Sequence, residues 1–247
     1  IMGKKRKGKK KVSPNGKPFV SVCTPTYNRR KFIPQLIKCF ESQTYPKELI
    51  EWIVIDDGED CVEDLFKDVE CVKYFRVEEK MKLGRKRNYM HEKSKGEIIV
   101  YMDDDDYYPP ERINHAVNRL RSRPEALAVG SSIVYIYFND LNKIYQFGPY
   151  GAQHATAGTF AFKRKLLEQT SYDDEAELAE EKKFLKNYSI PLVQLDPKKS
   201  ILVFAHQDNT FDKRKLLPGH PNFVRETNMK PKMMIKDKEM REFYMNA

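Results

Sequence analysis

Four consecutive carboxylates, Asp103 to Asp106, are the side chains of this sequence whose type and spacing point most directly to chemistry. An apolar run at 98–102 leads into them, and two tyrosines and two prolines at 107–110 follow. Adjacent carboxylates repel one another, so water or a cation must offset their charge. Oxygen ligands suit Mg²⁺ or Mn²⁺, which are usually bound together with a phosphate. A solvated acidic loop that caps the next helix is the alternative interpretation.

The apolar run predicts a buried strand that ends at the acids, because proline cannot continue a hydrogen-bonded ladder. Side chains alternate along an extended chain, so we expect Asp103 and Asp105 on one side and Asp104 and Asp106 on the other. Four identical residues leave open which of the two pairs binds the metal.

Polar residues also follow two other predicted strands, at Thr24–Asn28 and at Asp56–Asp57. The carboxyl ends of parallel strands meet at one edge of a sheet, where ligands bind. Three basic residues at 85–87 begin a predicted helix, and a helix start attracts anions. The sequence therefore predicts a cleft for a metal-bound diphosphate. It contains no G-x-G-x-x-G or Walker sequence, which argues against a dinucleotide or P-loop ATP site.

The elements that must position these groups alternate between strand and helix over the first 120 residues. Strands are predicted at 19–23, 51–55, 72–77 and 97–102, and helices at 31–42, 84–94 and 111–121. This alternation predicts an α/β fold with a mostly parallel central sheet flanked by helices. The second half is predicted to be smaller and mixed. It has strands at 126–138, 143–147, 159–162, 190–195 and 200–205, helices at 163–169, 175–188 and around 233–244, and a flexible loop at 148–158.

Positive charge is concentrated at one end of the chain. The 247 residues include 45 Lys and Arg and 36 Asp and Glu, and the net charge is +9, but residues 1–17 hold eight of the basic residues and no acid. The body is therefore nearly neutral, which argues against a fold that binds specific nucleic acid. We expect residues 1–18 to be a disordered basic arm, with at most a weak contact to anionic membrane through residues 1–17.

Cysteine use and hydropathy indicate the compartment. The four cysteines are widely spaced and form no Cys-x-x-Cys pair, so they predict reduced thiols and neither a zinc site nor a disulfide framework. No apolar stretch approaches the length of a membrane span, and no secretory signal pattern opens the sequence. We therefore expect a cytoplasmic protein.

The order of the motifs resembles the inverting, nucleotide-sugar-dependent glycosyltransferases of family 2, which have the GT-A fold. The matching segments are Val22–Arg29, Val54–Gly58, Gly84–Asn88, Gly96–Asp106, Gly158–Arg164, Glu180–Glu181 and His206–Asn209. The resemblance covers roughly residues 19–211. It departs from the usual pattern where the acid cluster has four aspartates instead of Asp-x-Asp-Asp, and where a Glu-Glu pair replaces the more common Glu-Asp.

The resemblance implies a set of residues that bind the donor. Pro25, Thr26, Tyr27 and Asn28 would line the pocket for the base and the ribose. Asp57 would accept a hydrogen bond from the base, most simply from a uracil or thymine N–H, so a UDP-linked sugar is the favoured donor. Arg87 and Lys86 would face the nucleotide or its diphosphate. Asp103 would reach the ribose or a metal-bound water, and Asp104 would lie close to the ribose or the sugar.

The resemblance also implies the metal and catalytic groups. Asp105 would bind Mn²⁺ or Mg²⁺ directly, with Asp103 in the same D-x-D motif and His206 as a second ligand. Glu181 or Glu180 would be the base that takes the proton of the acceptor hydroxyl, and Glu181 is preferred because it stands where relatives have Asp. His154 and Thr156 are weaker candidates for contacts with the sugar or the acceptor, which is expected to be a glycan or another hydroxyl compound.

The resemblance divides the chain into a GT-A domain at 19–212 and a basic extension with a helix at 213–247. Within the domain, the nucleotide-binding half would be 19–122 and the acceptor half 123–212. The predicted activity is inverting transfer of a hexosyl or deoxyhexosyl group. A sugar-nucleotide nucleotidyltransferase is an alternative, although it would show a Gly-rich phosphate loop early in the chain. A nucleic-acid-binding protein that acts through its basic arm is a further alternative.

Overall fold

The computed structural model describes residues 16–177 and 181–247, which form two sheets. The strands are β1 (Val20–Thr26), β2 (Ile50–Asp56), β3 (Val72–Arg76), β4 (Ile98–Tyr101), β5 (Ala128–Gly130), β6 (Val134–Phe138), β7 (Lys143–Phe147), β8 (Ala161–Lys163), β9 (Leu192–Gln194), β10 (Leu202–Ala205) and β11 (Val224–Glu226). The larger sheet has the order β3-β2-β1-β4-β8-β5-β9, and the smaller sheet has the order β10-β6-β7-β11.

The first half of the larger sheet is parallel, as the alternation of strands and helices predicts. β1 pairs in parallel with β2 and with β4, and β2 pairs in parallel with β3. The direction then changes, because β8 is antiparallel to both β4 and β5. The result is a mixed α/β fold with a mostly parallel centre, and the predicted fold class is confirmed.

Helices cover both faces of the larger sheet. They are α1 (Ile33–Glu41), α2 (Glu63–Phe66), α3 (Leu83–Lys93), α4 (Arg112–Ser122), α5 (Glu181–Phe184) and α6 (Lys238–Asn246). Alternate residues of β1 point to opposite sides, so Val22 packs with α1 and α4 in one core, whereas Cys23 packs with α3 and α5 in the other. Each central strand is therefore buried on both faces, which explains its continuous apolar sequence.

Three predicted elements in the second half were wrong in extent. The strand expected at 126–138 is two strands, β5 and β6, which belong to different sheets. The segment expected to form a helix at 163–169 is a 3₁₀ helix at Arg164–Glu168. The acidic helix expected at 175–188 is limited to α5 in the described part of the chain, and it ends where Lys186, Asn187 and Tyr188 adopt positive φ angles.

The end of the chain folds back onto the body. Asp237 caps α6 by accepting a hydrogen bond from Met240 N at 2.7 Å, and Tyr244 of this helix is completely buried. Across residues 16–177 and 181–247, no helix has the length and apolar character needed to cross a membrane. Residues 1–15 of the predicted basic arm lie outside the described residues, so its disorder and its membrane contact stay predictions.

Candidate active site

The polar ends of neighbouring strands meet at one edge of the larger sheet. β1 ends at Thr26 and β2 at Asp56, and these two residues lie directly opposite each other in the ladder. β4 ends on the other side of β1, and Met102 N continues that pairing with a hydrogen bond to Cys23 O at 3.1 Å. The three polar segments that the sequence analysis placed at one edge are therefore close together.

The segment Asp103–Asp106, which we call the acid turn, is not extended, because Asp104 and Asp105 form a turn and Asp106 a bend. Asp104 Oδ1 and Asp105 Oδ2 each lie 3.8 Å from Arg29 Nε, so these neighbours approach the same cation. The expectation that Asp104 and Asp105 lie on opposite sides was wrong, because side chains alternate only along an extended chain. β4 ends at Tyr101, before the run begins.

Asp105 faces two side chains that follow β10. Its Oδ2 lies 3.3 Å from His206 Nε2 and accepts a hydrogen bond from Asn209 Nδ2, also at 3.3 Å. Burial opposes the charge of Asp105, but the contact with His206 and the positive charges of Lys213 and Arg29 lower its pKa to about 2. Asp105 is therefore an ionised carboxylate at neutral pH.

The two even-numbered aspartates have different surroundings. Asp106 Oδ1 accepts a hydrogen bond from Phe204 N at 3.0 Å, and the carbonyl of Asp106 accepts one from Tyr244 Oη at 3.0 Å. Burial, followed by the charge of Asp105, raises the pKa of Asp106 well above its usual value and that of Asp104 to about 8. The two hydrogen bonds of Asp106 hold the acid turn against β10 and α6.

Asp103 lies between α3 and the short 3₁₀ helix at 157–159. Its amide donates a hydrogen bond to Tyr108 Oη at 2.7 Å, and its Oδ1 lies 3.6 Å from Arg87 Nη1. On the other side, a Cβ placed on Gly158 would lie 3.0 Å from Asp103 Oδ2. Glycine at this position therefore lets the backbone of the second half approach the acid turn closely.

Asp57 and Lys86 form a buried ion pair behind the acid turn. Lys86 Nζ donates to Asp57 Oδ1 and, at 3.2 Å, to Thr26 O, while Asp57 Oδ2 accepts from Met81 N at 2.6 Å. Burial lowers the pKa of Lys86, and the negative charge of Asp57 opposes that shift. Lys86 Nζ also lies 5.8 Å from the centre of the Tyr27 ring. A hydrogen-bond acceptor and a donor are thus held side by side, next to an aromatic ring.

The loop after β1 contains the residues expected to line the base and ribose pocket. Pro25 and Thr26 are the last residues of β1. Asn28 has a positive φ of 53°, and its Oδ1 accepts hydrogen bonds from the amides of residues 59 and 60 at 2.7 and 3.2 Å. The Asn28 side chain therefore fixes the turn that follows β2, and its contact with a nucleotide stays a prediction.

The acceptor-side candidates lie on other segments. Glu181 is the first residue of α5, and Glu180 lies outside the described residues. Burial and the negative charge of Glu181 raise the pKa of Tyr188. The His154 and Tyr188 rings are 5.0 Å apart. Thr156 lies two residues before Gly158, and its backbone N–H donates a hydrogen bond to Ser131 O at 3.3 Å. The roles of these residues stay predictions.

Three site residues were not singled out from the sequence: Arg29, Asn209 and Lys213. Arg29 closes the polar segment after β1, and Asn209 follows His206 by three residues, so both stand in quoted motifs. Lys213 lines a cavity of about 250 Å³ together with His206 and Asn209. Only the folded chain shows that these cations and amides converge on Asp105.

Comparison with known proteins identifies the family. The model of glycosyl transferase family 2 matches residues 21–174, a segment that includes the acid turn, the Asp57–Lys86 pair and Gly158. This chain belongs to glycosyl transferase family 2. The chain is 30% identical over 106 residues to poly(ribitol-phosphate) beta-N-acetylglucosaminyltransferase TarS of Staphylococcus aureus, covering 39% of this chain and 18% of TarS. It is 31% identical over 122 residues to the glucosyl-dolichyl phosphate glucuronosyltransferase of Haloferax volcanii, covering 48% of this chain and 38% of that protein.

Solved glycosyltransferases share the fold. The mannosyltransferase PcManGT of Pyrobaculum calidifontis, in complex with GDP-Man and Mn²⁺, has a TM-score of 0.63 at 19% identity and covers 82% of this chain and 62% of its own. The structure of residues 1–349 of S. aureus TarS, in complex with UDP-GlcNAc, has a TM-score of 0.61 at 20% identity. The match covers 77% of this chain and 59% of the TarS chain. These likenesses show the GT-A fold. This chain matches less than two fifths of the length of both curated relatives.

Proposed function

We propose that this family 2 glycosyltransferase moves a hexosyl or deoxyhexosyl group from a UDP-sugar to a hydroxyl of a glycan or another acceptor, with a divalent metal and with inversion. One observation carries the proposal. Ionised Asp105 meets His206 at the end of the sheet where the buried Asp57–Lys86 pair also lies, so groups for a metal-bound diphosphate and for a nucleobase lie at the same end of the sheet. The family match favours sugar transfer over nucleotidyl transfer.

UDP is the preferred nucleotide because of the Asp57–Lys86 pair. Uracil presents an N–H beside a carbonyl, and an acceptor beside a donor is the complement of that edge. Tyr27 offers a ring near the same pair. The TarS structures contain UDP or UDP-GlcNAc, whereas PcManGT contains GDP-Man, so fold alone does not select the base. The side chains of this chain support the choice of uracil.

The acid turn fits a divalent cation that is held by few protein ligands. Cis ligands of an octahedral Mg²⁺ or Mn²⁺ lie about 3 Å apart, and Asp105 Oδ2 and His206 Nε2 are separated by 3.3 Å. Among the residues that the structure describes, no three His, Cys, Asp or Glu side chains form a metal-binding group. Asp105 and His206 would therefore hold the ion together with the diphosphate. When bound, such a cation offsets the charge that develops on the leaving diphosphate.

The protein side chains supply the remaining steps. The Asp57–Lys86 pair orients the nucleobase, and Arg87 and Arg29 place positive charge beside the acid turn. Glu181 is the proposed base that takes the proton of the acceptor hydroxyl as its oxygen forms the new bond. The attack comes from the face opposite the leaving group, so the anomeric configuration inverts in one step.

A screen of UDP-, GDP- and dTDP-sugars with Mn²⁺ tests this function. A donor that binds the folded protein raises its melting temperature, and slow hydrolysis of that donor releases the free nucleoside diphosphate. We expect both signals with a UDP-sugar. In a parallel assay with UTP and a sugar 1-phosphate, release of pyrophosphate would instead support a nucleotidyltransferase. An NMR spectrum of the transfer product that shows a retained anomeric configuration would overturn the inverting mechanism.

A further inference from the structure

Four rings from three separate segments form a continuous row on the acceptor side, which we call the aromatic row: Tyr188, His154, Tyr150 and Phe223. The ring centres are 5.0 Å apart from Tyr188 to His154, 4.9 Å from His154 to Tyr150, and 5.4 Å from Tyr150 to Phe223. Tyr188 follows α5, Tyr150 and His154 lie in the loop after β7, and Phe223 precedes β11. The fold therefore assembles a surface that no single stretch of sequence contains.

The outer half of the aromatic row is open to solvent. Tyr150 is 44% exposed and Phe223 is 39% exposed, so both rings present much of their surface to water although they stack with an angle of 26° between their planes. Large apolar rings are costly to leave in water, and grouped exposed rings commonly mark a binding surface.

Hydrogen bonds hold the loop of the aromatic row in place. Ser132 Oγ accepts bonds from Tyr150 N at 2.7 Å and from Gly151 N at 3.0 Å. Gln194 Nε2 donates to the carbonyls of Ala152 and His154, each at 2.9 Å. The sequence analysis expected a flexible loop at 148–158, but Ser132, in the link between β5 and β6, and Gln194, the last residue of β9, hold residues 150–154. The rings are therefore preorganised, which reduces the entropy lost on binding.

The aromatic row leads away from the candidate active site. Its inner end, Tyr188, lies in the turn that follows α5, the short helix that begins at Glu181, the proposed catalytic base. The loop that carries Tyr150 and His154 continues directly to Gly158, whose backbone packs against the carboxylate of Asp103. An extended molecule whose reactive hydroxyl lies beside Glu181 would therefore meet Tyr188 first and Phe223 last.

We propose that the aromatic row binds the acceptor by stacking against the pyranose rings of a neutral oligosaccharide. The C–H faces of a pyranose are apolar and carry partial positive charge, so they complement the negative faces of aromatic rings. None of the four side chains carries a carboxylate or an ammonium group, and the ammonium groups of Lys182, Lys183 and Lys186 line a different cavity at α5. The aromatic row itself therefore offers stacking and no charge, which is the contact that a neutral sugar chain makes. This proposal rests on the proposed function, because it assigns the acceptor of the same reaction.

Saturation-transfer NMR on the whole chain tests the binding without any donor. The probes are chitopentaose, cellopentaose and maltopentaose. When the aromatic protons of the protein are saturated, the saturation should be transferred to the axial ring protons of at least one probe. Tyr150→Ala should weaken the affinity for that probe about tenfold, and Tyr150→Phe should retain it, because only the former removes the ring. Leu141→Ala, at a residue that is 43% exposed on the turn after β6, is the matched control and should bind normally.

The outcomes separate this proposal from the proposed function. Absence of transfer to all three probes, or unchanged affinity of the Tyr150→Ala and Phe223→Ala double variant, would overturn the aromatic row as an acceptor site. Hydrolysis of the UDP-sugar without acceptor should be the same in Tyr150→Ala and wild type, while the KM for the bound saccharide rises. A wild-type protein that binds the saccharide but neither binds nor hydrolyses any nucleotide sugar would overturn the proposed function and leave the aromatic row supported.

Discussion

Replacing Lys86 with methionine removes the cation of a buried ion pair and keeps the length of the side chain. Only 7% of the Lys86 side chain and none of the Asp57 side chain is exposed, so the variant leaves a carboxylate buried without its counter-charge. Breaking such a pair costs about 3–5 kcal/mol. Asp57 keeps its 2.6 Å hydrogen bond from Met81 N, which favours the lower end, about 3 kcal/mol. For a chain of this size, that loss lowers the melting temperature by about 6–12 °C.

Thermal unfolding followed by circular dichroism measures the effect. Adding Asp57→Asn removes the stranded charge and should recover part of the loss at pH 7.5. A single variant that melts within about 2 °C of wild type at that pH would refute the argument that a buried ion pair holds this site together.

Three further predictions concern the acid turn, a buried histidine and the base. Asp106→Asn should keep donor hydrolysis within about threefold of wild type, because the amide oxygen can still accept from Phe204 N, while Asp106→Ala should lower the free energy of urea unfolding by about 1–3 kcal/mol. Burial, with two nearby arginines, lowers the pKa of His91 to about 3, so protonation favours the unfolded state. Wild type should therefore lose about 1.4 kcal/mol more per pH unit than His91→Gln as the pH falls below about 6.5, measured by urea titration, and parallel curves would contradict this. Glu181→Gln should bind UDP normally in calorimetry but transfer sugar at least about 100-fold more slowly, and normal turnover would return the base role to another residue.

Local patterns in the sequence were sufficient for the first half of the fold. Each central strand is an apolar run that stops at a polar group, and Thr24–Asn28, Asp56–Asp57 and Asp103–Asp106 each mark such a stop. Parallel strands align their carboxyl ends, so these stops had to meet at one edge. Prediction was weaker after residue 122, where the strands are short, the chain passes back and forth between two sheets, and strand pairing depends on contacts distant in sequence.

Details of the site were less accessible because they depend on partners far along the chain. The expected alternation of Asp103 to Asp106 failed because the strand ends at Tyr101 and a turn follows. Nothing local to Asp57 indicates that Lys86, 29 residues later, would form an ion pair with it. The loop at 148–158 was expected to be flexible, since its anchors, Ser132 and Gln194, lie outside it.

Isothermal titration of UDP, with and without Mn²⁺, tests the central claim most directly. If Asp105 and His206 hold a cation together with the diphosphate, wild type should bind UDP at least about tenfold more tightly with Mn²⁺ than with EDTA. Asp105→Ala should remove that difference, and Asp106→Asn, a neighbour whose side chain bonds to Phe204 N, should preserve it. An affinity for UDP that is the same with Mn²⁺ and with EDTA, or a metal effect that survives in Asp105→Ala, would contradict the account.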